Sequence, residues 1–159
     1  MDKRSIYHQK FYAEQYDEDR FGGSFGHFLH DIEIETFLSL LDSSYNYVLD
    51  VGAGTGKLSI PLSLQYENVL VLDFSPEMIK VAIINAKKRG IELKTIVCDS
   101  QRLCFNDKTF DCVVSSRMLM HLTDWRKGIA ELCRVSKTLL SMVNEGVTSS
   151  LIIFILLDG

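Results

Sequence analysis

The chain has 159 residues, the length of one domain that can bury a real core. Its 47% hydrophobic and 24% charged residues exclude a disordered or fibrous chain, and a net charge of -4 with a pI near 5.5 supplies no basic face for nucleic acid. The polar first ten residues lack a signal-peptide pattern, and the longest apolar run, Leu151 to Leu157, falls far short of the about 20 residues of a membrane helix; a cytoplasmic protein with no membrane span and no nucleic-acid partner is expected.

The first 24 residues carry Tyr7, Phe11, Tyr12, Tyr16 and Phe21, too many aromatics for a disordered tail. They predict a helix over about 5–17, then a loop at Gly22-Gly23. Phe28, Ile32, Phe37, Leu38 and Leu41 recur near helical spacing, which predicts an amphipathic helix over about 27–41. Strand, loop and helix then alternate. Tyr47 to Val51 reads as a strand, Gly52 to Gly56 as a loop and Leu58 to Tyr66 as a helix. Val69 to Asp73 is a second strand. Ser75-Pro76 starts the next helix, because Ser caps well and Pro suits the first helical position. That helix stops near Gly90. Leu93 to Cys98 and Phe110 to Ser115 are further strands, followed by a helix from Asp124 to Val135 and a fifth strand from Leu139 to Val143. Alternating apolar strands and helices imply an α/β, Rossmann-like doubly wound sheet, mainly parallel, with helices on both faces.

The four cysteines, Cys98, Cys104, Cys112 and Cys133, form no Cys-x-x-Cys pair. They read as buried reduced thiols, with neither a zinc ribbon nor a redox dithiol signalled. His27 and His30 lie three apart on a predicted helix, but no third ligand at metal spacing accompanies them, and no metal is expected.

The chemistry concentrates at Asp50-Val-Gly-Ala-Gly-Thr-Gly56, where a strand gives way to a helix. Ligands of open parallel sheets bind beyond the carboxyl ends of the strands. Glycines there let the chain turn tightly and let a ligand approach. A dinucleotide loop has the spacing Gly-x-Gly-x-x-Gly, with pyrophosphate on the helix N-terminus. Here the spacing is Gly-x-Gly-x-Gly behind an acid that would repel a pyrophosphate and suits a ligand carrying an ammonium group. Asp73, at the end of the second strand, can accept hydrogen bonds from both hydroxyls of a ribose. Phe74 and Met78 can pack on an adenine ring or serve the core. Asp99, after the third strand, can accept from an exocyclic amine.

These motifs resemble, in order, those of class I S-adenosylmethionine-dependent methyltransferases. The resemblance runs through Val48 to Leu58, Val71 to Ile79, Asp99 to Leu103, Phe110 to Ser116, His121 to Asp124 and Glu131 to Val135, and is to the small-molecule branch that includes ubiquinone and menaquinone methyltransferases. It implies S-adenosyl-L-methionine as cofactor. Asp50, Gly52, Ala53, Gly54 and Gly56 would hold its methionine end, Asp73 its ribose, Phe74 and Met78 its adenine, and Asp99 with Ser100 the adenine amine. Ser116 and Arg117 would line the methionine and substrate side. Tyr16 or Arg20 would meet the cofactor carboxylate from a lid made by the N-terminal segment, with Phe21 and Phe25 walling the acceptor. His121 is the candidate general base, beside the plainer reading of a histidine capping a turn.

The expected organisation is a single domain: residues 1–44 as a helical lid, 45–145 as the cofactor-binding core and 146–159 as a short C-terminal segment. The family usually has a Pro-Gly-Gly turn after the last helix, where this chain has Ser136-Lys137-Thr138. It also closes its seven-stranded sheet with two more strands, the last antiparallel. The C-terminal strands are therefore expected to be missing, with Leu151 to Leu157 adding at most one strand or a short helix. A homo-oligomer or another partner would then cover the sheet edge. The expected function is methyl transfer to a small-molecule acceptor by in-line displacement, releasing S-adenosylhomocysteine. The alternatives are a non-catalytic adenosylmethionine-binding or truncated scaffold and, with less support, an NAD-dependent oxidoreductase.

Overall fold

The computed structural model describes residues 7, 9–21, 23–144 and 150–156, with backbone alone for residues 18–21, 29, 142–144 and 150–156. Two helices, α1 (Lys10–Phe21) and α2 (Gly23–Leu40), precede the strand β1 (Tyr47–Val51). Then follow α3 (Ser59–Gln65), β2 (Asn68–Asp73), α4 (Pro76–Lys87), β3 (Lys94–Val97) and β4 (Phe110–Ser116). A 3-10 turn at Leu119–His121 leads to α5 (Trp125–Val135), β5 (Ser136–Asn144) and β6 (Ser150–Leu156). Among the described residues the strands form one sheet in the order β3-β2-β1-β4-β5-β6. The first five are parallel, and β6 runs antiparallel to β5, from Thr138 opposite Leu156 to Asn144 opposite Ser150.

Successive strand residues face opposite sides of a sheet, and the chain uses this to build two cores. Val48, Val69, Val71 and Val114 pack with Phe37 of α2, Leu62 of α3 and Ile79 of α4. Leu49, Val51, Leu72 and Val113 pack on the other face with Leu132 and Val135 of α5. The order reverses between β1 and β4, since β2 and β3 continue on one side of β1 and β4 to β6 on the other. That reversal opens a crevice beyond the carboxyl ends of β1 and β4, where open α/β sheets take ligands.

Local signals set the helix starts. Ser75 caps α4 by accepting the amide of Met78, with Pro76 at the first helical position. Asp124 caps α5 by accepting the amide of Lys127. The junction after α5 needs no turn: the Ser136 hydroxyl donates to the carbonyl of Leu132 at 2.7 Å, and the chain passes straight from helix to strand. This is why Ser136 begins β5, three residues earlier than periodicity predicts.

Two expectations are corrected. The first helix lies over Lys10–Phe21 rather than about 5–17, and the second begins at Gly23 rather than about 27. The polar residues between them are compatible with helix, and the break is confined to the region of Gly23, at φ 80°; Gly22 lies outside the described residues. Ser150–Leu156 supplies an antiparallel sixth strand, the strand rather than the short helix of the two forms expected for this run, and among the described residues β6 is the edge. Leu157 lies outside the described residues. The run Leu151-Ile-Ile-Phe-Ile-Leu156 could not be assigned from periodicity because it is apolar at every position. No helix among the described residues is long and apolar enough to cross a membrane.

Leu132 on α5 is fully buried against the β4 and β5 face. Leu132→Ala should lower stability by about 2–5 kcal/mol, the usual cost of emptying such a site. Urea denaturation checks this, and a loss under about 1 kcal/mol would place the residue outside the core.

Candidate active site

The glycine loop folds back over the end of β2. The amides of Gly52 and Ala53 both donate to the carbonyl of Leu72, at 2.8 and 3.1 Å. The amide of Gly54 donates to Asp73 Oδ2 at 2.8 Å, and Asp73 Oδ1 accepts the amide of Ser75 at 2.8 Å. One carboxylate thus joins the glycine loop to the start of α4.

Each loop glycine answers a different demand. Gly52, at φ 75°, backs onto Met118: a Cβ there would come within 2.3 Å of Met118 Cγ. Gly54, at φ 56°, has open space where its Cβ would stand. Gly56, at φ 85°, packs on α4, and a Cβ would approach that of Ala82 to 3.0 Å. Gly52 and Gly54 therefore border the cleft, whereas Gly56 seats the loop on the helix behind it.

The cleft, about 680 Å³ including its open mouth, lies at the carboxyl ends of β1, β2 and β4. Asp73, Phe74 and Met78 line one end of it, and Asp99 and Ser100 continue that wall. Phe74 is half-exposed at the rim, while Met78 is buried and also serves the core. Ser116 and Arg117 line the opposite side, with Tyr16 and His121 closing over it. A neighbouring cavity shares Gly52, Gly54, Ser116, Arg117 and Tyr16, and adds Asp50, Ala53, His30 and Glu33. Eleven of the residues predicted from the sequence thus line the first cleft, and Asp50 and Ala53 line the second. Arg20 belongs to α1 by its backbone, but its side chain lies outside the described residues, as does that of Phe21. Phe25 is exposed on α2, 61% accessible, and lines neither cavity.

Several contributors had no local signal in the sequence. Tyr7 reaches across the cleft: its hydroxyl lies 3.3 Å from His121 Nδ1 and 3.4 Å from Nε2, and its carbonyl accepts the hydroxyl of Ser75. Its ring meets those of Tyr12, Tyr16 and His121 edge to face. Asp17 of α1 accepts the Thr55 hydroxyl of the glycine loop at 2.6 Å, which docks the N-terminal helix on that loop. Glu33 of α2 pairs with Arg117, directly after β4. Arg117 holds a left-handed backbone, φ 59°. For a residue with a side chain this costs about 1–3 kcal/mol, offset by a partly buried, charge-assisted bond. His121 ends the 3-10 turn and lines the cleft.

Asp50 is 1% exposed and accepts the Ser59 hydroxyl at 2.6 Å. Burial pushes its carboxyl up to about 7; the Ser59 hydrogen bond opposes the rise and the nearby Asp73 charge adds to it. The folded protein therefore keeps a proton on Asp50 at pH values where the unfolded chain has lost it, and stability falls as pH rises from about 4 toward 7. Asp50→Asn removes this penalty. Its urea midpoint should exceed that of the wild type by a margin that grows from pH 4 to pH 7 and then levels. A margin independent of pH would contradict a buried, raised Asp50.

Comparison with known proteins agrees with this geometry. Residues 48–138 match the family described as Methyltransferase domain. The chain is similar to the ubiquinone biosynthesis O-methyltransferase of Rickettsia prowazekii, 32% identical over 117 residues, covering 69% of this chain and 46% of the relative. It is also similar to the demethylmenaquinone methyltransferase of Renibacterium salmoninarum, 40% identical over 90 residues, covering 57% of this chain and 36% of the relative. The crystal structure of the YcgJ protein from Bacillus subtilis superposes with a TM-score of 0.63 at 27% identity, covering 74% of this chain and 50% of that one. The chain thus spans less than half the length of these two curated relatives. With the ordered motifs and the cleft they build, these matches place the chain in the class I S-adenosylmethionine-dependent methyltransferases, in the small-molecule branch.

Proposed function

We propose that the chain binds S-adenosyl-L-methionine in the cleft beyond β1, β2 and β4 and transfers its methyl group in line to a small-molecule acceptor, releasing S-adenosylhomocysteine. The observation that supports this reading is that Asp73, Asp99 and the open face of Gly54 border one cleft, while Asp50 lines the neighbouring cavity that shares Gly52 and Gly54 with it. The donor set fits the cofactor. A buried carboxylate held near pH 7 gains from an ammonium group beside it. Asp73, at the end of β2 and lining the cleft, carries a carboxylate that can accept from the two hydroxyls of a ribose. Half-exposed Phe74, over buried Met78, offers an apolar face to a base. The same three carboxylates oppose a pyrophosphate, which disfavours a nicotinamide dinucleotide.

When bound, the cofactor supplies a methyl group already activated on a positively charged sulfur. The protein's part is to align the acceptor and to keep water out. Well-oriented reactants can save about 7–11 kcal/mol of barrier. In this reading residues 1–44 form the lid: α1 docks on the glycine loop through Asp17 and Thr55, and Tyr7 spans from Ser75 to His121. His121 would accept a proton where the acceptor must lose one, with the Tyr7 hydroxyl orienting its ring. The ubiquinone and menaquinone relatives suggest a small aromatic or quinone-like acceptor.

Calorimetry of the full chain with S-adenosylmethionine, S-adenosylhomocysteine and NAD tests the assignment. The first two should bind and NAD should not; tighter binding of NAD would sink it. Asp73→Ala should weaken S-adenosylhomocysteine binding by about tenfold to somewhat over a hundredfold, the worth of roughly 1.5–3 kcal/mol for hydrogen bonds to a charged group. An unchanged dissociation constant would remove Asp73 from the ribose site.

Deleting residues 1–22 tests the lid. The expected outcome is a clear loss of cofactor affinity or of S-adenosylhomocysteine production, with far-UV circular dichroism still showing a folded core. A truncated chain that binds and turns over as before would mean that the segment only packs against the sheet.

A further inference from the structure

Cys98 and Cys104 have no motif spacing, yet the structure brings them together. Their sulfurs lie 3.9 Å apart across the turn that follows β3. This corrects the expectation of four buried, separate thiols: Cys104 is exposed, Cys98 and Cys133 are half-buried, and Cys112 alone is fully buried. The turn folds Cys98 back toward Cys104. The amide of Arg102 donates to the carbonyl of Asp99, and Asp99 Oδ1 accepts the amide of Gln101. The Cys98 sulfur also lies against the carbonyls of Asp99 and Arg102, at 3.8 and 3.6 Å.

We propose that Cys98 and Cys104 form a reversible disulfide that clamps the Asp99–Leu103 turn at the edge of the cleft. A disulfide brings its sulfurs to about 2.05 Å, from the 3.9 Å that separates them in the reduced protein. Both ends of the turn are already anchored. The amide of Cys98 donates to the carbonyl of Asp73 at 3.1 Å, and that of Leu103 to Glu131 Oε2 at 2.7 Å. In between, Gln101 Oε1 accepts the amide of Asp124 at 3.2 Å and the hydroxyl of Thr123 at 3.3 Å. The bridge forms inside this frame. The Cys98 sulfur then leaves the two carbonyls it touches, and the turn that presents Asp99 and Ser100 is reset. The effect on cofactor binding rests on the function proposed above; formation of the bridge does not.

The oxidant is a low-molecular-weight disulfide such as glutathione disulfide. The Cys104 thiolate attacks one of its sulfurs, the S–S bond breaks, and one thiol leaves. Cys98 gives its proton to solvent and attacks the Cys104 sulfur, releasing the second thiol. The two cysteines lose two electrons and the small disulfide gains them. Exposure makes Cys104 the entry point. Burial pushes the Cys98 thiol up and makes it the poorer first nucleophile, so it reacts second, once the Cys104 mixed disulfide stands beside it. Burial pushes Cys112 up to about 12 and takes it out of the reaction.

The test treats the full chain with glutathione disulfide, alkylates the remaining thiols under denaturing conditions and weighs the protein. Two thiols should be lost, one peptide should link Cys98 to Cys104, and dithiothreitol should restore all four. Hydrogen exchange of residues 99–103 should slow on oxidation, a readout independent of any cofactor. Oxidation should raise the dissociation constant for S-adenosylhomocysteine at least threefold. Cys104→Ser should bind as reduced wild type does, before and after oxidant. Four free thiols after oxidation, a bridge elsewhere, or unchanged exchange in the turn would overturn the proposal. So would an affinity equal in both redox states, or a Cys104→Ser protein that weakens like wild type. If even the reduced protein binds no S-adenosylhomocysteine, the function proposal fails, and thiol count and exchange still decide the bridge.

Discussion

The carbonyl of Leu72 receives two amides from the glycine loop and the carboxylate of Asp73 receives a third. Three donors from consecutive residues thus converge on the last two residues of one strand. Unmade, each would be an unpaired backbone group in a partly buried place, at about 1–3 kcal/mol apiece. Made, they bend the chain away from β1 and turn Gly54 toward open space. The positive φ values at Gly52, Gly54 and Gly56 are the conformational requirement of that bend. Asp73 is therefore a structural acceptor of the glycine loop that also lines the cleft.

The N-terminal helices are tied to this frame by polar contacts and, through Phe37 of α2, by the core. Asp17 holds Thr55 and Glu33 holds Arg117, while Phe11, Phe25 and Phe28 remain largely exposed. Among the described residues α1 places only Ala13 in the buried hydrophobic set, and an element with so little buried apolar surface opens at lower cost than one anchored in a core. The sheet and its two cores are built the other way, from fully buried Leu49, Leu62, Leu72 and Leu132. The sheet is thus the rigid part of the molecule, and α1 the more readily displaced one.

What could be read from the sequence divides along the distance between partners. The strand-loop-helix run from Tyr47 to Lys87 was legible because its signals are local: alternation, glycine spacing, and Ser75-Pro76 at a helix start. Asp50, Asp73 and Asp99 were legible because each stands at the end of a strand or just beyond it. Tyr7 against His121, Glu33 against Arg117 and Asp17 against Thr55 lie 114, 84 and 38 residues apart. Nothing local in the chain marks such pairs. Cys98 and Cys104 are close in sequence, but a turn rather than a motif joins them. The sixth strand escaped assignment because an unbroken apolar run has no period to read.

The junction between α5 and β5 has a consequence for anyone cutting or decorating this chain. Val135 ends the helix, Ser136 begins the strand, both are fully buried, and no loop residue stands between them. A cleavage site, an inserted tag or a new pair of termini placed there would find no slack to absorb it. It would also part the Ser136 hydroxyl from the Leu132 carbonyl. The turn after α4 is its opposite: Lys87, Lys88, Arg89 and Gly90 are all exposed, and their backbone already doubles back. Reporter insertions, circular permutation and split-protein designs belong at that turn, because there the fold has chain to spare.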